Sequence, residues 1–289
     1  MPELPEVETM RRNIERHVVG KTITAVDVTL PKLLRDSPIP DLSLLVGRSF
    51  RPARRRAKVL ILDLDDDLTL LMHCKLSGQI AIFLPDGVRA IAGHPVPSPV
   101  GPYPHKSTHV RIDFEDGSIL YYSDIRQFGW LRLTPSGAVE AAVAAFGFGP
   151  EGWGFEFDRV VLEATMQRRG IPIKTLLLDQ SFIAGLGNIY VDETLHAARV
   201  HPARSAKSLD AGERKRVLDF VPWSLAEGLK QGGARIIHSK AYPIDDFPAV
   251  HAREGEPCIH CGATILKTRV GQRGTYFCPV CQPAPVLAD

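Results

Sequence analysis

Several familiar features are missing from this chain. No stretch approaches the ~20 consecutive apolar residues a membrane-spanning helix needs, because charges interrupt every hydrophobic run within a strand length. The first residues carry no basic region followed by an apolar run. No secretory signal is therefore expected, and the expected location is cytoplasmic. No internal repeat is visible. Cysteine is scarce, with five in 289 residues, and the net charge is only +2. The hydrophobic content of 44% is ample. A chain of this length and composition can build two domains, each with its own core.

A small net charge says little about partners, but its distribution says more. "RPARRRAK" (51–58) holds Arg51, Arg54, Arg55, Arg56 and Lys58 without an acid, and "ERKR" (213–216) adds a second basic run. Lys230, Arg235 and Lys240 follow, while "DLDDDL" (63–68) offsets them elsewhere. Such segregation fits a nucleic-acid face and equally a solvated basic surface.

The patterning divides the chain. Val7, Met10, Ile14 and Val18 recur at helical spacing, with Pro5 and two acids in the first turn. "TITAVDVTL" and "GWLRL" read as strands. "KVLILDL" with "LTLLMHC", and "VRIDF" with "SILYYSD", read as hairpins. Residues 1–134 are thus expected to form a β-rich sandwich or barrel with a leading helix. Residues 85–107, rich in Pro and Gly, are expected to form an exposed loop. A linker at 135–157 precedes a helical region, which runs from 158 to about 231.

The tail is the most specific local signal. "CIHC" (258–261) and "CPVC" (278–281) form two C-x2-C pairs, a four-thiolate zinc pattern. Cys258, Cys261, Cys278 and Cys281 are expected to hold one structural Zn2+, because four thiolates leave no open position. Disulfides are the alternative, disfavoured where thiols stay reduced. Between the pairs, "ILKTRVGQRGTYF" reads as a hairpin with Arg273 near its tip, where it can enter a DNA groove. Cys74 stands alone in an apolar stretch and reads as a core thiol.

"AGLGNIYVDE" (184–193) places two glycines ahead of a helix. Asn188 reads as its N-cap, and the open N–H groups of such a helix start bind phosphate well. The opening "MPELPEVETM" leaves Pro2 and Glu3 outside the first helix. A methionine followed by a small residue is removable, which would leave proline with a free secondary amine. That amine has a reference pKa of roughly 8, against about 10.4 for lysine, so much of it is unprotonated at neutral pH. It can attack a carbonyl carbon and give an iminium ion. Glu3, or Glu6 one turn on, could move the proton.

In order along the chain, "PELPEVET", "RRAK", "LSG", "DIRQFG", "GLGNIYVDETLHAARVHP", "QGG" and the four-cysteine tail with "QRGT" resemble the bacterial formamidopyrimidine-DNA glycosylase and endonuclease VIII family. The opening is closer to the formamidopyrimidine branch. The resemblance implies an α+β multidomain fold. Its parts would be a catalytic β-sandwich with flanking helices (1–134), a linker (135–157), a helix–two-turn–helix domain with a lesion loop (158–250) and a zinc-finger hairpin (251–283). It implies a base excision repair enzyme acting on damaged double-stranded DNA, as a monomer, on the nucleoid when bound and without a membrane role. Such an enzyme would remove oxidised purines such as 8-oxoguanine and formamidopyrimidines, and cut the strand by β,δ-elimination. Pro2 would be the nucleophile at C1′, Glu3 the general acid and Glu6 an additional acid, base or lesion contact. Lys58 would assist elimination, and Arg273 would complete the catalytic set by holding a phosphate beside the lesion. His109, Arg126, Lys174 and Asn188 would contact DNA. Leu76, Arg126 and Phe128 would fill the gap left by the extruded base, Leu76 replacing the family's methionine. The stretch 232–257 is expected to be a shortened lesion loop, in which Pro243 and Pro248 offer no N–H. Two alternatives stay open: the same chemistry with a preference for oxidised pyrimidines, and a DNA-binding relative without catalysis.

Overall fold

The computed structural model describes residues 2–234 and 247–284. It separates into two compact units, 1–146 and 147–289.

The first unit is a two-layer β-sandwich with a leading helix. Helix α1 (Leu4–His17) is followed by β1 (Ile23–Val28), β2 (Arg54–Arg56), β3 (Val59–Asp63), β4 (Leu68–His73), β5 (Gly78–Phe83), β6 (Arg89–Gly93), β7 (Thr108–Phe114), β8 (Ile119–Asp124) and β9 (Trp130–Pro135). One antiparallel sheet runs β1-β7-β8-β5-β6 and the other β2-β3-β4-β9. Alternation sends Leu60, Leu62, Leu70 and Met72 of one sheet, and Ile80, Ile82, Leu120 and Tyr122 of the other, into a single core. Val7, Met10, Ile14 and Val18 of α1 join that core, as their spacing requires. Cys74 is buried there, its thiol 3.6 Å from the Met10 sulfur.

The expected exposed loop at 85–107 needs correction. Its first part is β6, paired residue for residue with β5 from Phe83↔Arg89 to Gln79↔Gly93. The remainder is loop, exposed at Ser98–Val100 as expected, but pinned at points to the sheet: the buried Gln79 amide donates to the His94 and Pro97 carbonyls at 2.6 and 2.9 Å. Tyr103 hydrogen-bonds the other end of that amide and packs edge-on against Phe83 at 4.9 Å.

The 135–157 stretch is shared between the units. Helix α2 (Val139–Ala144) belongs to the first, where Phe146 stacks on Trp130 at 5.8 Å. From Gly149 the chain joins the second: Gly149 N–H donates to Gln180 O, and Ala184 N–H to Pro150 O.

The second unit contains α3 (Arg159–Arg168), α4 (Ile173–Leu178), α5 (Asn188–Ala197), α6 (Ala211–Lys230) and the hairpin β10 (Leu266–Val270) with β11 (Arg273–Phe277). Helix α5 is the centre. Every residue from Ile189 to His196 is buried, including Asp192, Glu193, Thr194 and His196. A helix buried on all sides is a core helix, and its polar groups must find partners inside. Helix α6 starts at an Asp210–Glu213 capping box, each acid accepting the other's backbone N–H at 2.7–2.9 Å.

Candidate functional site

The first unit assembles its candidate groups around the start of α1. Glu3 is the N-cap, so the helix begins one residue earlier than Pro5 suggests. Its N–H donates to Glu6 Oε2 at 2.7 Å, one half of a capping box. Glu6 is therefore engaged at the helix start. Pro2 is buried, and Glu3 is only 1% exposed. Pro2 and Glu3 thus lie together, sheltered, at the head of the helix.

Lys58 lies between β2 and β3, after Ala57, whose φ of 50° makes the tight turn. It is buried. The turn is held by Arg55, which donates to Ala57 O at 3.0 Å and to Glu8 Oε2 at 3.1 Å. Glu8 also takes bonds from Arg11 and Arg12, both at 3.0 Å or closer at its Oε1. Burial alone would raise the Glu8 pKa, but the three guanidinium groups outweigh it and draw it down to about 2. In the sequence Glu8 is marked only as a first-turn acid. Its arginine partners, which couple α1 to the Lys58 turn, are visible only in the fold. His73 pairs with Val59 beside Lys58. Burial, with the charges of Lys75 and Lys58, pulls its pKa to about 3, so it is neutral, and its Nδ1 accepts from Lys75 N–H.

Two turns at one end of the sandwich carry the expected gap-filling residues. Leu76 sits half-buried between β4 and β5, while Arg126 and Phe128 lie exposed between β8 and β9. The Arg126 guanidinium lies over the Phe128 ring at 5.2 Å. Asp124, fully buried, binds both turns together. It accepts from Gly129 N–H at 2.7 Å, from Arg126 N–H at 3.2 Å and from the Ser77 hydroxyl, and Ser77 Oγ accepts from Arg126 N–H in turn. Within "DIRQFG" nothing local marks Asp124 for this role. His109, expected to contact DNA, is 6% exposed and hydrogen-bonds the Asp124 carbonyl through Nε2 at 3.0 Å. Its ring braces these turns from within.

In the second unit, Asn188 and Lys174 take places other than those expected. Asn188 is the first residue of α5, and the N-cap is Gly187. Its amide reaches forward instead, donating to Gly274 O at 2.9 Å. Its Oδ1 is buried and has no hydrogen-bond partner among the described residues. The approach is shaped by Gly185, whose φ of 96° favours glycine. Lys174, expected at the DNA surface, is fully buried. Its ammonium pairs with Asp192 at 2.6 Å and donates to Gly274 O at 2.9 Å, so it is committed to the interior.

Asp192 also accepts from His251 Nδ1 at 2.7 Å and from Tyr276 N–H at 3.3 Å. Glu193 accepts three consecutive backbone N–H groups, from Ala249, Val250 and His251, at 2.7–2.9 Å. Burial pushes its pKa up, against the pull of those donors. These two acids moor the segment ahead of the zinc hairpin. At the hairpin tip, Gly271 and Gln272 take φ of 54° and 63°, as a two-residue turn needs. Arg273 follows, exposed. A Cβ at Gly271 would lie 2.5 Å from Thr175 Oγ1, so the tip rests closely on α4.

The four cysteine sulfurs all lie within 4.8 Å of one another. The Cys258–Cys281 and Cys261–Cys278 separations are 3.9 and 3.4 Å. Tetrahedral zinc with Zn–S of about 2.3 Å puts its sulfurs roughly 3.8 Å apart, so the set fits one structural Zn2+. Gln282, just past the last ligand, accepts Cys278 N–H and donates to Val200 O, joining the knuckle to the helices.

Comparison with known proteins resolves what this combination is. Three family models match in series: the formamidopyrimidine-DNA glycosylase N-terminal domain over residues 1–131, its H2TH domain over 148–239, and the zinc finger found in FPG and IleRS over 255–284. The chain belongs to the formamidopyrimidine-DNA glycosylase family. A formamidopyrimidine-DNA glycosylase of Bacillus cereus is 37% identical, with 98% of this chain and 99% of the relative aligned. That of Streptococcus pyogenes is 38% identical, with 98% of each covered. Among solved structures, a Lactococcus lactis FPG mutant in complex with a Fapy-dG containing DNA matches with a TM-score of 0.84. It shares 33% identity over 98% of this chain and 100% of that one. The Lactococcus lactis Fpg with an abasic site containing DNA matches with the same score at 32% identity and the same coverage. Of the expected lesion loop, 232–257, the stretch 235–246 with Pro243 lies outside the described residues. No helix among the described residues is long and apolar enough to cross a membrane.

Proposed function

We propose that this chain is a base excision repair enzyme of damaged double-stranded DNA, a glycosylase for oxidised purines that is also an abasic-site lyase. The observation that carries the reading is the head of α1: Pro2 buried beside Glu3, whose N–H is fixed by Glu6. With Met1 removed, the Pro2 nitrogen attacks C1′ of the damaged nucleotide. The bond from C1′ to the base breaks, and the base leaves with the electron pair and gains a proton. Glu3 protonates the sugar oxygen as the ring opens, leaving an iminium ion between Pro2 and C1′. The iminium accepts electrons when a C2′ proton is lost and the 3′ C–O bond breaks. A second elimination then breaks the 5′ C–O bond, and water releases Pro2.

Lys58 is assigned to these eliminations and to the adjacent phosphate, with His73 neutral beside it. Arg273 and Asn188 hold phosphates; for Asn188 the second amide hydrogen and the backbone N–H at the helix start are the available donors. Leu76, Arg126 and Phe128 occupy the space left by the extruded base. Lys174 acts from the interior by fixing Gly274.

Borohydride reduction during turnover tests the reading. A covalent protein–DNA adduct is expected with 8-oxoguanine or abasic-site duplex, and a chain that keeps a residue ahead of Pro2, which makes its nitrogen an amide, should be trapped at least a hundredfold less. Equal trapping by that blocked chain would assign the nucleophile elsewhere.

A further inference from the structure

A cavity of about 750 Å³ opens in the second unit at the far end of α5. Asn188 begins that helix, and His196 lies eight residues on, roughly 12 Å along the axis. The cavity is therefore remote from the proposed phosphate contact at Asn188. Phe220 and Trp223, edge to face at 5.5 Å, form one apolar wall, and Ile259 lies on the zinc-knuckle side. Trp223 and Ile259 are 39% and 36% exposed.

Arg199 and Arg216 border the same cavity. Arg216 donates to Ala198 O at 3.0 Å, and neither arginine has a carboxylate partner among the described residues. The one acid in the lining, Glu193, is occupied by its three backbone donors. Both histidines are engaged as well, His196 with Cys258 Sγ at 3.4 Å and His260 stacked on His196. The cavity thus combines an apolar aromatic wall with two cations, and no acid among the described residues of its lining is left to neutralise them. Pockets of this volume, mostly apolar with a few placed polar groups, hold ligands. Exposed Trp and Arg together are the residues that anchor protein partners.

We infer that this cavity is a docking site for an acidic peptide segment of a partner protein, one bulky apolar side chain entering against Trp223 and Phe220 while flanking carboxylates pair with Arg199 and Arg216. Charge complementarity selects the carboxylates, and the concave wall selects a side chain. A nucleic-acid strand is a poorer fit, since it needs a basic groove that tracks its backbone and successive stacking platforms. The inference is independent of the chemistry proposed for Pro2.

The zinc-loaded full chain, titrated against a fluorescein-labelled Asp-Glu-Phe-Leu-Asp-Glu peptide, provides the test by anisotropy. Saturable binding is expected. It should weaken at least tenfold with Arg199→Glu, with Trp223→Ala, and when Phe and Leu of the peptide become Ser or its acids become amides. Arg199→Glu should leave zinc content and abasic-site duplex affinity unchanged, which shows the variant is folded. Absence of saturable binding, or binding indifferent to Arg199→Glu or to the peptide changes, would overturn the assignment. Tighter binding of a thymidine oligonucleotide, lost with Arg199→Glu, would also overturn it and give the cavity to nucleotides.

Discussion

Lys174 and Asn188 donate to the same acceptor, the carbonyl of Gly274, each at 2.9 Å. One peptide group thus links α4 and α5 to the residue after Arg273. The Asp192 carboxylate neutralises the ammonium from the other side, and both side chains are fully buried.

Removing one partner of this pair leaves an uncompensated buried charge. Lys174→Met should cost about 3–5 kcal/mol in urea unfolding, the range for breaking a buried ion pair. Replacing both, as Lys174→Met with Asp192→Leu, should recover part of that stability but not the affinity for abasic-site duplex, because Gly274 still loses a donor. Full recovery of affinity in the double variant would show that the pair does not position the hairpin.

Metal analysis should give one zinc per chain, lost in Cys278→Ser. The metal-free variant should lose duplex binding, since Arg273 stands on the hairpin the zinc closes. Well under one zinc in the unaltered chain would contradict the site.

The carboxylate and the lysine should separate the steps. Glu3→Gln keeps the amine, so a ready-made abasic site should still be cut while intact lesions persist. Lys58→Ala should do the reverse and impair cleavage of the abasic site, the step to which Lys58 is assigned, more than base removal. Single-turnover rates on both substrates measure this, and equal loss on both by both variants would refute the assigned roles.

Glu8 gives a pH dependence of fixed sign. Its pKa falls from an ordinary 4.5 to about 2 on folding. A depressed acid stabilises the folded chain fully above the higher value and loses that contribution as pH drops through the lower one. The contribution is on the order of 3 kcal/mol. Glu8→Gln should therefore lower stability at pH 7 and flatten its fall between pH 4.5 and 2, as followed by urea midpoints across that range.

Phe128 and Asp124 should behave oppositely. Phe128→Ala alters an exposed ring and should leave stability within about 0.5 kcal/mol, yet slow excision from duplex DNA. Asp124→Ala strands several buried donors and should cost about 3 kcal/mol in unfolding. Unchanged duplex excision by Phe128→Ala would remove that ring from the gap-filling set.

What could be read in the sequence was whatever depends on spacing. The stripe of Val7, Met10, Ile14 and Val18, the two hairpins around "DDD" and "EDG", and the paired cysteines all follow from local geometry. What escaped depends on partners far away in the chain. Strand β6 is short and bounded by Gly and Pro, so its pairing with β5 left no periodic trace. Lys174 looked like one more surface cation until Asp192, eighteen residues on, buried it. Glu8, Asp124 and Glu193 carry no mark of what they bind. An acid's role is set by which donors the fold brings to it.

The bonds through Asp124 tie together the two turns that bear Leu76, Arg126 and Phe128. If these three side chains fill the gap as proposed, their shared support would make them a gauge pressed against the double helix. A soft gauge would conform to any sequence, whereas a stiff one yields a step only where stacking is already weak. In that case the rigidity set by one buried carboxylate makes the first distinction between sound and damaged DNA, before any base has entered a pocket.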